Sequence, residues 1–186
     1  MGMNVITQPV PNAKKNSLLL TNDLQPRWYA IYTSANREKR VHEQLERRLV
    51  ESFLPLYDSV RRWKDRKVRL QLPLFPGYVF ARFALRDRLQ VLQVPGVARL
   101  VSFNGCPCAL LESEVEALQR IGPPGLRAEP HPYLTAGRQV RVKAGPLAGI
   151  EGILVRRKNR ARFVISVELI MRSVVIELDG LELEPN

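Results

Sequence analysis

The segment Leu74–Phe80, which reads Leu-Phe-Pro-Gly-Tyr-Val-Phe, constrains the fold of this chain more than any other stretch. Pro76-Gly77 predicts a tight turn, because proline favours the second position of a turn and glycine the third. The alternating residues that follow predict a β-strand with Tyr78 and Phe80 on one side and Val79 on the other. Two interpretations stay open: the aromatic side packs inside the core, or it docks a helix of a partner.

The net charge of the chain indicates which class of partner it binds. The chain has 186 residues, 45% of them hydrophobic, which suffices for one large or two small packed domains. Its 29 Lys and Arg residues exceed its 18 Asp and Glu residues, so the net charge is +11. Such an excess of basic residues indicates an anionic partner, and nucleic acid is the usual one. The alternative is a soluble protein that is basic without binding an anionic partner.

The sequence offers no support for a cofactor, a metal site or an enzyme. Cys106 and Cys108 are the only cysteines, and His42 and His131 lack the spacing of zinc ligands. No catalytic constellation and no phosphate-binding loop is present, and free thiols suit a reducing cytoplasm. Residues 1–26 hold no apolar run long enough for a signal peptide or a membrane span. We expect them to form a disordered leader of a cytoplasmic, monomeric protein.

Residues 27–122 alternate between strand and helix patterns. Val41, Leu45 and Leu49 recur at every fourth position and predict a helix over 36–50, whose basic residues predict a solvated outer face. Further patterns predict strands or extended segments at 27–33, 53–57, 77–84 and 97–103, a helix at 86–94 with Leu85, Leu89 and Leu92 inward, and a helix after Ser113. The order β-α-β-β-α-β-α indicates an α/β sandwich with one antiparallel-leaning sheet.

A basic segment with one aromatic residue precedes the strand at 77–84. Its candidate nucleic-acid-binding residues are Arg61, Arg62, Trp63, Lys64, Arg66 and Lys67. Cations around an aromatic ring are suited to a phosphate backbone with unstacked bases nearby. A hairpin tip that charge keeps soluble is the alternative interpretation.

The pattern changes after residue 122. Four prolines fall within 123–134, which predicts a semi-extended linker between two domains. Short alternating strands over 135–186 predict a small all-β barrel, and their β-branched residues favour strand over helix. A second basic cluster, placed between two of these strands, contacts RNA phosphates or only adds solubility. It consists of Arg156, Arg157, Lys158, Arg160 and Arg162.

These motifs, in this order, resemble those of the NusG family of bacterial transcription elongation factors across residues 27–185. The N-terminal motifs are Trp28-Tyr29, Arg37–Val41, Leu74–Val79 and Val94–Val97. Residues 137–152, with Gly145-Pro146-Leu147-Ala148-Gly149 inside them, resemble the KOW motif that opens the barrel of this family. The resemblance implies an α+β protein: a NusG-type N-terminal domain with an antiparallel sheet and helices, followed by a small KOW β-barrel.

The resemblance also implies a binding function, in which the protein makes and breaks no covalent bond. Family members bind the clamp helices of the RNA polymerase β′ subunit, reach the β subunit across the cleft, and suppress pausing or termination close to DNA and nascent RNA. The residues that match the docking cavity by position are Leu56, Tyr57, Phe75, Tyr78 and Phe80.

The barrel departs from the family pattern. Housekeeping members present aromatic residues there to Rho or to a small-subunit ribosomal protein, whereas this chain has Leu147, Ile150 and Ile170, with Met171 in place of a glycine. The departure indicates a specialised, operon-specific antiterminator of the RfaH, LoaP or UpxY kind; a housekeeping factor with aliphatic contacts is the alternative. A KOW-containing ribosomal RNA-binding or ribosome-assembly protein is the rival function, but it would leave Leu74–Phe80 unexplained.

Overall fold

The structure, a computed structural model, describes residues 23–63, 66–121, 127–157, 160–177 and 183–185. Residues 1–22 of the predicted leader and residues 123–126 of the predicted linker lie outside these ranges. Within them, no helix is long and apolar enough to cross a membrane.

The N-terminal region is built on a four-stranded antiparallel sheet in the order β2-β5-β1-β6. Its elements are β1 (Arg27–Thr33), α1 (Glu38–Arg47), β2 (Glu51–Phe53), β3 (Leu56–Trp63), β4 (Arg66–Pro73), β5 (Tyr78–Phe83), α2 (Arg88–Leu92), β6 (Val97–Leu100), β7 (Ser102–Phe103), β8 (Cys106–Pro107) and α3 (Glu112–Gln119). The pairs β3/β4 and β7/β8 form separate two-stranded hairpins. The predicted α/β sandwich is therefore confirmed, with a long basic hairpin added to it.

The two sides of β5 face two different clusters, as the alternation in the sequence predicts. Val79 packs with Val41 and Leu45 of α1 on one side of the sheet, which we call the helical face. Phe80 packs on the opposite side, which we call the aromatic face. Trp28 of β1 belongs to the same cluster as Phe80, because residues of one parity on paired strands share a face. The aromatic strand is thus part of the core on both sides.

The C-terminal region is all β, as predicted. Its elements are β9 (Ala128–Pro132), β10 (Arg138–Val142), β11 (Glu151–Arg157), β12 (Arg160–Val167), β13 (Arg172–Glu177) and β14 (Leu183–Pro185). They form a six-stranded antiparallel sheet in the order β14-β10-β11-β12-β13-β9. The linker predicted over 123–134 needs correction, because residues 128–132 pair along β13. Proline is tolerated in β9 because this strand lies at the sheet edge.

Two predicted helices differ in detail. α1 ends at Arg47, and Leu49 is exposed with φ of +60°, so the apolar stripe stops at Leu45. In the second helix Leu89 is 61% exposed, whereas Val91 is buried. A 3-10 turn over Leu85–Asp87 precedes α2 and rotates the chain by about 120° per residue, which changes the inward positions that a continuous α-helix predicts.

Candidate functional site

Two hydrogen bonds hold the turn that opens β5. The Tyr78 N–H donates to the Phe75 carbonyl with an N···O distance of 3.0 Å, and Gly77 has φ of +86°, as the third position of a type II turn requires. The Gly77 N–H donates to a carboxylate oxygen of Glu38 at 2.7 Å. Glu38 is buried in α1. The buried carboxylate therefore ties α1 to the start of the aromatic strand.

We expect Glu38→Ala to lower the free energy of unfolding by about 1–3 kcal/mol, because the half-buried Gly77 N–H would lose its acceptor. Glu38→Gln keeps an acceptor of nearly the same shape and should cost distinctly less. Urea unfolding followed by circular dichroism measures both variants. Equal losses for the two substitutions would show that packing, and not the hydrogen bond, gives Glu38 its effect.

The five candidate docking residues divide between the two faces. Phe75 and Phe80 are fully buried on the aromatic face, with ring centroids 5.6 Å apart in an edge-to-face arrangement. Tyr57 and Tyr78 are half-buried and pack against the same cluster. Leu56 packs instead on the helical face. Four of the five candidates are thus brought together, and Tyr78 is the one in β5 that keeps part of its ring accessible.

Tyr32, which the strand pattern alone does not single out, joins this group. Its ring meets that of Tyr78 edge-on with centroids 5.4 Å apart, and it is 38% exposed. The guanidinium of Arg99 lies 5.2 Å from the centre of the Tyr32 ring, within the range of a cation–π contact. Tyr32 comes beside Tyr78 because the antiparallel register of β1 and β5 pairs these two residues, and strand patterns alone do not specify that register.

The barrel covers the aromatic face. Leu147, Ile150 and Ile170 are buried, and they belong to the same continuous apolar cluster as Phe75 and Phe80. These three predicted partner-binding residues of the barrel are therefore inaccessible in this arrangement, and one apolar cluster continues from the barrel to Phe75 and Phe80.

Polar contacts fix the same interface through α3 and its C-terminal end. Arg120 donates to the Ala148 carbonyl at 3.0 Å, and Ala148 lies between Leu147 and Ile150. The Glu114 carboxylate accepts the backbone N–H of Leu111 at 3.3 Å. Burial raises the pKa of Glu114 above its ordinary value, while the backbones of Leu111 and of Glu168, which lies two residues before Ile170, act in the opposite direction. The barrel segment that carries Leu147 and Ile150 is thus held against the end of α3, and the segment before Ile170 lies close to Glu114.

The first basic cluster lies at the end of the β3/β4 hairpin. The register pairs Trp63 with Arg66, so the predicted basic segment is a hairpin end, and Arg62, Arg66 and Lys67 are exposed. The side chains of Arg61, Trp63 and Lys64 lie outside the described part of the molecule. Because Arg62, Arg66 and Lys67 are exposed, a nucleic acid could reach them without steric obstruction.

The second basic cluster joins β11 to β12. The register of these strands pairs Arg157 with Arg160, as expected for a hairpin. Arg162 is half-buried, and its guanidinium lies 3.3 Å from the Glu177 carboxylate, so it is engaged inside the sheet. The side chains of Arg156, Arg157, Lys158 and Arg160 lie outside the described part of the molecule.

Comparison with known proteins agrees with this architecture. The sequence profile described as NusG, transcription termination factor, matches residues 26–119. The transcription termination/antitermination protein NusG of Buchnera aphidicola is 26% identical over 175 residues, covering 86% of this chain and 96% of that protein. The NusG protein of Escherichia coli strain K12 is 26% identical over 173 residues, covering 85% of this chain and 95% of its own length.

A solved structure has the same fold. It shows domain interaction in Thermotoga maritima NusG and matches with a TM-score of 0.56 at 19% identity, covering 88% of this chain and 98% of that one. The profile match extends over half of the chain, from β1 to the last residue of α3. The chain belongs to the NusG family of transcription termination and antitermination factors.

Proposed function

We propose that this protein binds the β′ clamp helices of RNA polymerase through its aromatic face and suppresses pausing or termination. The observation that carries the proposal is the group of Tyr78, Tyr32 and Tyr57 around the buried Phe75 and Phe80. Tyrosine combines a large apolar area with a hydroxyl group, and it is enriched among the residues that dominate binding energy. A helix pair laid across this face would meet aromatic rings backed by a rigid sheet.

Binding at this face requires the barrel to move away first. Separation divides the apolar cluster that the barrel shares with Phe75 and Phe80, at a cost of about 1.5–3 kcal/mol for each side chain that becomes fully exposed. The polymerase therefore selects an open form that is a minor species in the free protein, and its apparent affinity falls in proportion to that population. The bound N-terminal region then bridges the cleft, and its effect is mechanical: a clamp held closed resists the movement that accompanies pausing.

The opened barrel exposes its own surface. We propose that Leu147, Ile150 and Ile170 then contact a second partner, which in an operon-specific factor replaces Rho or the ribosomal protein of housekeeping members. The support is the aliphatic character of these positions, which departs from the aromatic pattern. Release of the barrel would thus expose two binding surfaces at once.

We also propose that the β3/β4 hairpin contacts DNA or nascent RNA near the transcription bubble. Arg62, Arg66 and Lys67 are exposed at its end, and the hairpin is separate from the four-stranded sheet. Arg61, Trp63 and Lys64 complete this group by sequence, and Arg156, Arg157, Lys158 and Arg160 form the corresponding group of the barrel. Arg162 is removed from the second group, because Glu177 already engages it.

The test compares Tyr78→Ala with Tyr133→Ala in the full-length protein. Both changes remove a half-buried tyrosine ring, but Tyr133 follows β9 in the barrel and is not among the residues that pack against the cluster of Phe75 and Phe80. We expect Tyr78→Ala to weaken binding to purified core RNA polymerase by roughly 30-fold, as a dominant interface residue does, and Tyr133→Ala to leave it within about twofold.

Equal affinities for the two variants would contradict the proposed site. If the intact chain and a chain with an opened barrel both fail to bind polymerase but bind ribosomal RNA, the ribosome-assembly function becomes the better explanation.

A further inference from the structure

Three side chains form a row across the aromatic face at the end where β5 begins. The strand register pairs Tyr32 of β1 with Tyr78 of β5 and, on its other edge, with Arg99 of β6. Paired residues of an antiparallel sheet point to the same side, so all three share the side that carries Phe80. The Tyr32 and Tyr78 ring centroids lie 5.4 Å apart, and the Arg99 guanidinium lies 5.2 Å from the centre of the Tyr32 ring. We call Tyr32 and Arg99 the open rim of the aromatic face.

The barrel leaves the open rim accessible. Tyr32 is 38% exposed and Arg99 is also exposed, and neither belongs to the apolar cluster that continues from Phe80 into the barrel. Tyr78, the next residue of the row, packs against that cluster. The covered part of the aromatic face therefore ends at Tyr78, and a partner can contact the open rim while the barrel is still in place.

The open rim also carries a charge that the protein does not neutralise. Toward the opposite end of β5, Arg82 lies 3.6 Å from the Glu51 carboxylate and 3.4 Å from that of Glu112. Within the described ranges, by contrast, no ion pair joins Arg99 to a carboxylate. The contact of Arg99 with the Tyr32 ring is a cation–π interaction, which uses none of the five N–H donors of a guanidinium. Arg99 therefore presents a positive charge, held beside an aromatic ring, to any partner that binds the open rim.

We propose that Arg99 binds a carboxylate on the helix pair that docks at the aromatic face, and that this contact forms while the barrel still covers Phe80. The inference rests on the proposed function, because it concerns the same binding partner. A protein carboxylate fits better than a nucleic acid, since several cations usually meet a phosphate backbone, whereas the row has one cation beside two tyrosines. Tyrosine and arginine are also enriched among the residues that dominate protein–protein binding energy.

The geometry of the row limits where the carboxylate can lie on the partner. The two contact distances place the Arg99 guanidinium within about 11 Å of the Tyr78 ring, a length that two turns of an α-helix span. A helix whose apolar side chain meets Tyr78 therefore needs its Asp or Glu residue no more than about two turns away. An early contact between opposite charges acts mainly on the rate of association, and salt screens it.

The experiment measures the association and dissociation rates of the full-length protein and purified core RNA polymerase at several salt concentrations. The test variant is Arg99→Gln, and Arg99→Lys is the rescue variant that keeps the charge. The control Arg138→Gln removes the same charge from an exposed position of the barrel. At low salt, Arg99→Gln should lower the association rate about fivefold, whereas the other two variants should stay within about twofold of the native protein. The difference should shrink as salt rises, and all variants should keep the native melting temperature because both arginines are exposed.

An unchanged association rate for Arg99→Gln would overturn the proposal. So would a loss confined to the dissociation rate, because the contact would then form only after the barrel has moved, and so would an equal loss in Arg138→Gln, because net charge alone would explain it. Tyr78→Ala, measured in parallel, separates this inference from the proposed function. Weaker binding of Tyr78→Ala with unaltered Arg99→Gln rejects only the role of Arg99, whereas unaltered binding of both rejects the docking site itself.

Discussion

Phe80→Ala is expected to destabilise the N-terminal region by about 3–5 kcal/mol, the usual cost of truncating a fully buried phenylalanine. Phe80 has 0% exposure and contacts the rings of Phe75 and Phe53 at centroid distances of 5.6 and 6.3 Å. The cavity would lie in the middle of the sheet, between β2 and β1, where the backbone cannot collapse without breaking strand pairing. The melting temperature should fall by roughly 12 °C or more.

Phe103→Ala is the matched control, because it removes the same ring from a hairpin position that is 70% exposed. Its effect should stay within about 0.5 kcal/mol. Thermal unfolding followed by circular dichroism separates the two variants. A Phe80→Ala protein that melts within a few degrees of the native protein would show that the ring is not a core element.

The burial of Phe80 decides which residue can test the docking surface. A polymerase-binding defect in Phe80→Ala would report unfolding as much as lost contacts, because a loss of several kcal/mol is a large part of the stability of a domain. Tyr78 is half-buried at the start of the strand, so its truncation removes accessible ring surface with less damage to the core. Of the two interpretations of Leu74–Phe80, core packing describes Phe75 and Phe80, whereas docking stays a prediction, which Tyr78 tests because it borders accessible surface.

Local patterns predicted the elements that local chemistry determines. The Pro76-Gly77 turn, the alternation of Val79 and Phe80 and the all-β C-terminal region depend on backbone preferences and on period-2 patterning, which neighbouring residues contain. The prediction of which residues of the short second helix face inward was wrong, because the 3-10 turn before α2 changes which side chains point to the core. Proline-rich sequence likewise suggested a linker where the chain forms an edge strand.

The covering of the aromatic face could not be predicted from the sequence. Leu147 and Ile170 look like barrel residues by pattern, and nothing local shows that they belong to one apolar cluster with Phe75 and Phe80 of the other region. The contact depends on tertiary complementarity and on the hydrogen bond from Arg120 to the Ala148 carbonyl. Tyr32 was missed for the same reason, since its role comes from the register with Tyr78.

Gly152→Ala should disrupt the barrel and strengthen binding to RNA polymerase. A Cβ at position 152 would lie 2.6 Å from both the Phe163 ring and the Val164 carbonyl oxygen. The ring can shift, but the carbonyl belongs to the backbone of β12 where it pairs with β11, so the two strands must move apart. Overpacking of this kind costs about 1–3 kcal/mol or more, and a barrel of about 50 residues has little stability to lose.

If the barrel masks the polymerase site, its loss removes the conformational penalty on binding, and the apparent dissociation constant should fall about tenfold or more. Gly149→Ala is the control in the same region: a Cβ there meets nothing within 4 Å, and only its φ of +82° opposes the change, at about 1–2 kcal/mol. Its binding should therefore shift much less. Circular dichroism confirms which variant has lost barrel structure, and polymerase titrations give the affinities. A Gly152→Ala protein that has lost its barrel but binds polymerase no more tightly would show that the contact between the two regions does not govern access to the aromatic face.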